Sequence, residues 1–206
     1  VIAYLIIFLV SAGTTFACTP IVRRVALRTG AVDLPSDRKV HPNPTPTMGG
    51  VAMFVGFVVA LGVTVVVPQF DEIRRAGPEI LASLVTCSLM VVLGVVDDRW
   101  GVSALTKLVG QVFVSGVLVL MGVVLTFFWL PGTGIVSIGT DLAVPLTILW
   151  VVAVVNAVNL VDGLDGLAAG MVAIAAGSFF IYMVRAPGSM GDTSAAALLS
   201  VITAGI

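Results

Sequence analysis

The 206-residue chain is 59% hydrophobic and only 10% charged, with a formal net charge of -1, and its mean hydropathy is +1.17. A soluble domain carries about 25% charged residues, so a water-solvated globule is excluded and an integral membrane protein is indicated. No basic cluster is large enough to suggest nucleic acid as a partner.

A helix crossing the hydrocarbon core needs about 20 largely apolar residues. The expected spans are 2–19, 49–68, 79–96, 105–128, 143–161 and 166–184, with a partial seventh over 194–206. The fold class is therefore an all-α polytopic helical bundle, a single membrane domain over 1–206. The first segment lacks a basic leader and reads as a span rather than a cleaved signal. Cys18 and Cys87 sit in apolar runs and read as small core residues without a disulfide. The chain opens on Val1 and stops inside an apolar run, which reads as a piece of a longer protein.

After the first span comes Asp37-Arg-Lys-Val-His41-Pro-Asn-Pro-Thr-Pro-Thr-Met-Gly-Gly50. Its alternating prolines stiffen the lead-in, and Gly49-Gly50 is expected to let backbone approach closely. Its basic residues suit either anionic lipid or a positive wall for phosphate groups. His41 is the only histidine, and a lone histidine makes no metal site.

The third span ends on Asp97-Asp98-Arg99-Trp100. Adjacent aspartates disfavour each other's ionisation, and a helix C-terminus already presents negative potential. The pair therefore calls for a metal or a basic partner. The plainer reading pairs Arg99 with one acid and anchors Trp100 at the interface. Further on, 129–142 has turn glycines around a short β-like run, as a surface hairpin would.

Asn156-Ala-Val-Asn159-Leu-Val-Asp162-Gly163-Leu-Asp165-Gly-Leu-Ala168 then interrupts the apolar sequence, and Asp162 and Asp165 are its only charges between Asp141 and Arg185. A carboxylate beside a membrane-grade run costs several kcal/mol (about 2–4) unless solvated, paired or metal-bound. Asn156, Asn159 and Asp162 share one helix face, and the glycines beyond end the helix. The alternative is that the asparagines join helices and the acids cap a turn.

Six crossings put 20–48, 97–104 and 162–165 on one side. Counting helix ends, that side holds seven of the ten basic residues, Arg23, Arg24, Arg28, Arg38, Lys39, Arg99 and Lys107; the other holds Arg74, Arg75 and Arg185. The positive-inside rule makes the first side cytoplasmic, with the N-terminus outside. Four carboxylates, two amides and basic residues on one face suit phosphoryl transfer. Carboxylates hold Mg²⁺ (or Mn²⁺), which neutralises a pyrophosphate.

Asp97-Asp98, the Asn156–Asp165 motif and His41–Gly50 together resemble the polyprenyl-phosphate N-acetylhexosamine-1-phosphate transferase family, in the right order and over essentially the whole chain. The resemblance implies a membrane enzyme of ten or eleven helices, of which this is the N-terminal part and inactive alone. Such enzymes move a sugar 1-phosphate from a UDP-sugar to a polyprenyl phosphate in the bacterial plasma membrane, releasing UMP and using Mg²⁺. It looks most like the UDP-GlcNAc branch, which starts lipid-linked cell-wall and surface polysaccharides. The phospho-MurNAc-pentapeptide branch usually has a lysine where this chain has Gly101. The family implies Asp97 as base and Asp98 as its neighbour on substrate or metal. Asn156, Asn159, Asp162, Gly163 and Asp165 are implied for the UDP-sugar, with Asp98 and Asp165 as metal ligands completed by a residue past 206. Family motifs Gly-Asp-x-Gly-Ser and a histidine-rich loop do not appear; Gly191-Asp192-Thr193-Ser194 is only a superficial match. A homodimer is left open. The rivals are an ion-coupled transporter, which would need midplane acids in repeated helices, and a CDP-alcohol phosphotransferase, whose motif continues differently.

Overall fold

Polar groups of the backbone must be satisfied inside lipid, and this sequence does so almost wholly with helices. A computed structural model describes residues 2–33, 45–70, 78–162, 166–185 and 193–206. The helices are α1 (Ile2–Thr29), α2 (Gly49–Val66), α3 (Pro78–Trp100), α4 (Ala104–Leu120), α5 (Thr140–Val161), α6 (Leu167–Arg185) and α7 (Thr193–Gly205). Two antiparallel pairs join them: β1 (Val32–Asp33) with β2 (Thr45–Pro46), and β3 (Phe127–Leu130) with β4 (Gly134–Ser137).

Among the described residues, five helices, α1, α2, α3, α5 and α6, are long and apolar enough to cross a membrane. The fold is the expected all-α polytopic bundle. Two boundaries differ most from the sequence reading. The first helix runs on to Thr29 through Pro20; its 28 residues rise about 42 Å, so Arg23, Arg24 and Arg28 lie beyond a hydrocarbon core of about 30 Å. The fourth stops at Leu120, not 128. Gly122 takes φ 91°, and the N–H groups of Met121, Gly122 and Val123 fold back on Val117, Val119 and Leu118 carbonyls. The β-branched and aromatic residues that follow favour strand over helix, so the hairpin begins at Phe127, two residues inside the expected span.

Helix α1 packs on α2 and α7, α2 on α3, α3 on α4, α4 on α5, α5 on α6, and α6 on α7. The best-buried cluster lies between α1, α2 and α7: Ile7, Phe57, Ala60, Leu61, Leu198 and Ile202. Tyr4 closes one end of it, edge-on to Phe70 and Phe180 at 5.3 and 5.1 Å. Small residues let the helices meet. A Cβ on Gly56 would strike the Thr15 side chain, one on Gly110 would lie 2.7 Å from Leu93, and one on Gly205 would lie 2.8 Å from the Phe8 carbonyl. That is close packing of the kind that holds helices together where no hydrophobic drive exists.

Candidate functional site at one end of the bundle

Antiparallel connections bring the end of α1, the start of α2, the end of α3, the start of α4 and the end of α5 to one face. Its centre is the turn from α3 to α4. Gly101, at φ 64°, caps α3 by donating its N–H to the Asp97 carbonyl at 2.8 Å. Only glycine takes this left-handed position without strain. Two residues on, the Ser103 hydroxyl accepts the Thr106 N–H and starts α4, an N-cap of the preferred type.

This short turn sets the side chains of the two aspartates. Lys107, in the first turns of α4, donates Nζ to Asp97 Oδ2 at 2.7 Å, with the two side chains 31% and 23% exposed. Asp98 faces the other way: its Oδ2 accepts the Met48 N–H at 2.7 Å. Met48 is the cap residue of α2 and stands in the left-handed region, with no cap bond from its own side chain. A carboxylate from α3 thus serves the N-terminus of α2, where the helix dipole welcomes negative charge. The cost of two acids at a helix C-terminus is met by a lysine and by another helix's positive end. Arg99 instead lies over the Trp100 ring, 6.0 Å from its centroid. Beside Asp98, a groove of ≈ 240 Å³ between α2 and α3 is lined by Met48, Gly50, Val51, Met90 and Gly94.

The base of the proline-rich segment reaches the same place. Val32 pairs with Pro46 and Asp33 with Thr45. Thr47 donates both its N–H and its hydroxyl to the Ala31 carbonyl, and β1 packs on α3. Arg23 of α1 lines a second groove, ≈ 140 Å³, with Pro46, Thr47 and Gly49. Among the described residues, a Cβ on Gly49 or Gly50 would meet nothing within 4 Å; a close contact falls on Met48, whose N–H Asp98 grips. Arg38, Lys39 and His41 lie outside the described residues.

On α5, the Asn156 amide gives one N–H to Gln111 Oε1 at 2.6 Å and one to the Val152 carbonyl at 2.8 Å. Its donors are therefore spent within the protein, the joining role that was the alternative for this residue. Asn159 and Asp162 are exposed one and two turns further along. Asp162 caps the helix, its N–H on the Val158 carbonyl, and Gly166 at φ 76° starts α6, so the expected break is present. Gly163 and Asp165 lie outside the described residues.

Lys107 and Gln111 are the residues that the sequence reading did not assign to the site. Their signal was available: they are four apart on α4, a spacing that puts both on one face, in an otherwise apolar helix. Among the described residues no three of His, Cys, Asp or Glu gather as a metal set.

The model of glycosyl transferase family 4 matches residues 80–206. The chain is 40% identical over 202 residues to the decaprenyl-phosphate N-acetylglucosaminephosphotransferase of Mycobacterium tuberculosis, covering 96% of this chain and 50% of that protein. It is 39% identical to a Bacillus subtilis protein named "Probable undecaprenyl-phosphate N-acetylglucosaminyl 1-phosphate transferase", covering 84% of this chain and 46% of that one. A Salmonella typhi undecaprenyl-phosphate alpha-N-acetylglucosaminyl 1-phosphate transferase is 28% identical over 101 residues, 49% of this chain and 25% of that one. The chain spans about half the length of the curated relatives that match nearly all of it.

Proposed function

The chain belongs to glycosyl transferase family 4, and from that premise we propose that the whole protein transfers GlcNAc-1-phosphate from UDP-GlcNAc to a polyprenyl phosphate, releasing UMP. The observation that carries this reading is the Asp97–Lys107 pair, partly exposed at the end of a membrane span. Asp97 is the base for the acceptor phosphate, whose oxygen then attacks the β-phosphorus of the UDP-sugar and displaces UMP. Lys107 supplies an ammonium that can leave Asp97 for the incoming phosphate. The groove beside Asp98 gives the first carbons of a lipid acceptor an apolar wall.

Mg²⁺ suits this donor set, since it takes hard oxygens and binds by one or two carboxylates plus substrate phosphates. Asp98 and Asp165 are the residues that would hold it, and it would neutralise the pyrophosphate. Asn159 and Asp162 are proposed to meet the UDP-sugar. The basic residues gathered at this end support a cytoplasmic site and an external N-terminus.

The phospho-MurNAc-pentapeptide alternative is less favoured, because Gly101 stands in the left-handed region and a lysine there would be strained. The relatives are named as transferases, which does not favour a transporter. With full-length protein in detergent, Asp97→Asn and Asp165→Asn should each abolish UMP release from UDP-GlcNAc, while UDP-MurNAc-pentapeptide gives none with the parent. Near-normal turnover in both variants would falsify the assignment.

A further inference from the structure

Asp97 belongs to α3, whereas Asn159 and Asp162 belong to α5. Helix α4 packs on both, and one polar face of it touches each. Lys107 holds Asp97 at 2.7 Å; one turn deeper, Gln111 holds Asn156 at 2.6 Å. Gln111 is 2% exposed, within a largely apolar helix, and its bond is, among the described residues, the one side-chain hydrogen bond between α4 and α5. The next residue on this face, Ser115, turns its hydroxyl back on the Gln111 carbonyl at 2.7 Å and reaches no other helix by that bond.

Both N–H groups of the Asn156 amide nitrogen are used. One N–H is tied to its own helix through Val152, the other to α4. The bond therefore fixes both the height and the rotation of α5 against α4. Asn159 and Asp162 ride on the same helix, three and six residues on, about 4.5 and 9 Å along the axis. A sliding of α5 by a fraction of a turn would change the separation of both from Asp97, and apolar contacts, being non-directional, set such a register less sharply than a hydrogen bond does.

We infer that Gln111 is a positioning residue: by holding Asn156 it sets the register of α5 on α4, and hence the separation of Asp97 from Asn159 and Asp162. Helix α4 acts as a ruler between the acceptor side and the donor side of the site. This deepens the transferase reading above and rests on it for its kinetic consequence, but not for its geometric one.

The test uses full-length protein with Cys18→Ser and Cys87→Ser, spin-labelled at Trp100→Cys on α3 and Leu160→Cys on α5, both well exposed. In that background Gln111→Met, which keeps the volume and removes the acceptor, should broaden or shift the label-to-label distance distribution. In unlabelled enzyme it should lower kcat between about tenfold and a hundredfold, the scale of a 1 Å misplacement, with KM for UDP-GlcNAc within about twofold. Gln111→Asn should widen the distribution in the same way. Adding Asn156→Gln should restore it, because the exchanged pair has the same number of methylenes. Ser115→Ala should leave distances and kcat unchanged. Distances that overlay those of the parent, or an exchange that does not restore them, overturn the inference. So does a kcat within twofold of the parent. A parent that releases no UMP from UDP-GlcNAc would instead sink the transferase reading, and the distances alone would then decide the role of Gln111.

Discussion

Gly101 shows how one residue decides what a motif can do. Its φ of 64° and its bond to the Asp97 carbonyl let α3 stop and α4 begin within three residues. Among the described residues a Cβ there meets nothing within 4 Å, so the first cost of replacing it is conformational. Gly101→Lys should therefore destabilise by about 1–2 kcal/mol, read as a lower thermal midpoint in detergent. An unchanged midpoint would mean that the turn relaxes. The lysine beside Asp97 is Lys107, and its ion pair, being partly exposed, contributes only about 0–1 kcal/mol to stability. In the proposed reaction its use is chemical. The sequence named both aspartates but could not choose their partners, because Lys107 is ten residues from Asp97 in sequence and adjacent only once the turn has closed.

At the level of elements, Asp98 is the instructive case. Its carboxylate on the Met48 N–H makes it a cap for α2 supplied by α3, joining the proline-rich segment to the acidic end. Asp98→Ala should lower the thermal midpoint by the equivalent of about 1–2 kcal/mol, the usual worth of a cap. Asp98→Asn, which retains an oxygen acceptor, should lose much less. If the two variants melt alike, the cap carries no stability. Turnover measured on the same samples separates this from a metal role, in which asparagine fails as well as alanine. Local sequence foretold the glycine breaks and the hairpin of β3 and β4, since these depend on residues close in the chain. It overran α4, because hydropathy alone does not tell an apolar strand from an apolar helix.

Across the whole molecule, stability rests on close helix contact. A Cβ on Gly56 would strike the Thr15 side chain of α1 and lie 3.0 Å from the Ser11 carbonyl, beside the buried cluster. The Thr15 hydroxyl is, among the described residues, the one buried side-chain oxygen without a hydrogen-bond partner. Gly56→Leu should push α1 from α2 and abolish a cooperative melt, as overpacking costs about 1–3 kcal/mol or more. Thr15→Val, of equal shape, removes an unsatisfied group and should raise stability by up to about 1 kcal/mol. A fall in the midpoint of Thr15→Val would show that the hydroxyl has a partner in the membrane.

Composition and hydropathy by themselves determined a multi-span helical membrane protein, because transfer of apolar side chains into lipid is a sum over residues that needs no knowledge of contacts. Parity and motif order also determined that the acids, amides and basic residues gather at one end. Tertiary structure decided how they are wired: Asp97 to Lys107, Asp98 to the start of α2, and Asn156 to Gln111. Hydrogen bonds and ion pairs are directional and short-ranged, so partners 10, 50 and 45 residues apart are fixed only when the helices have packed.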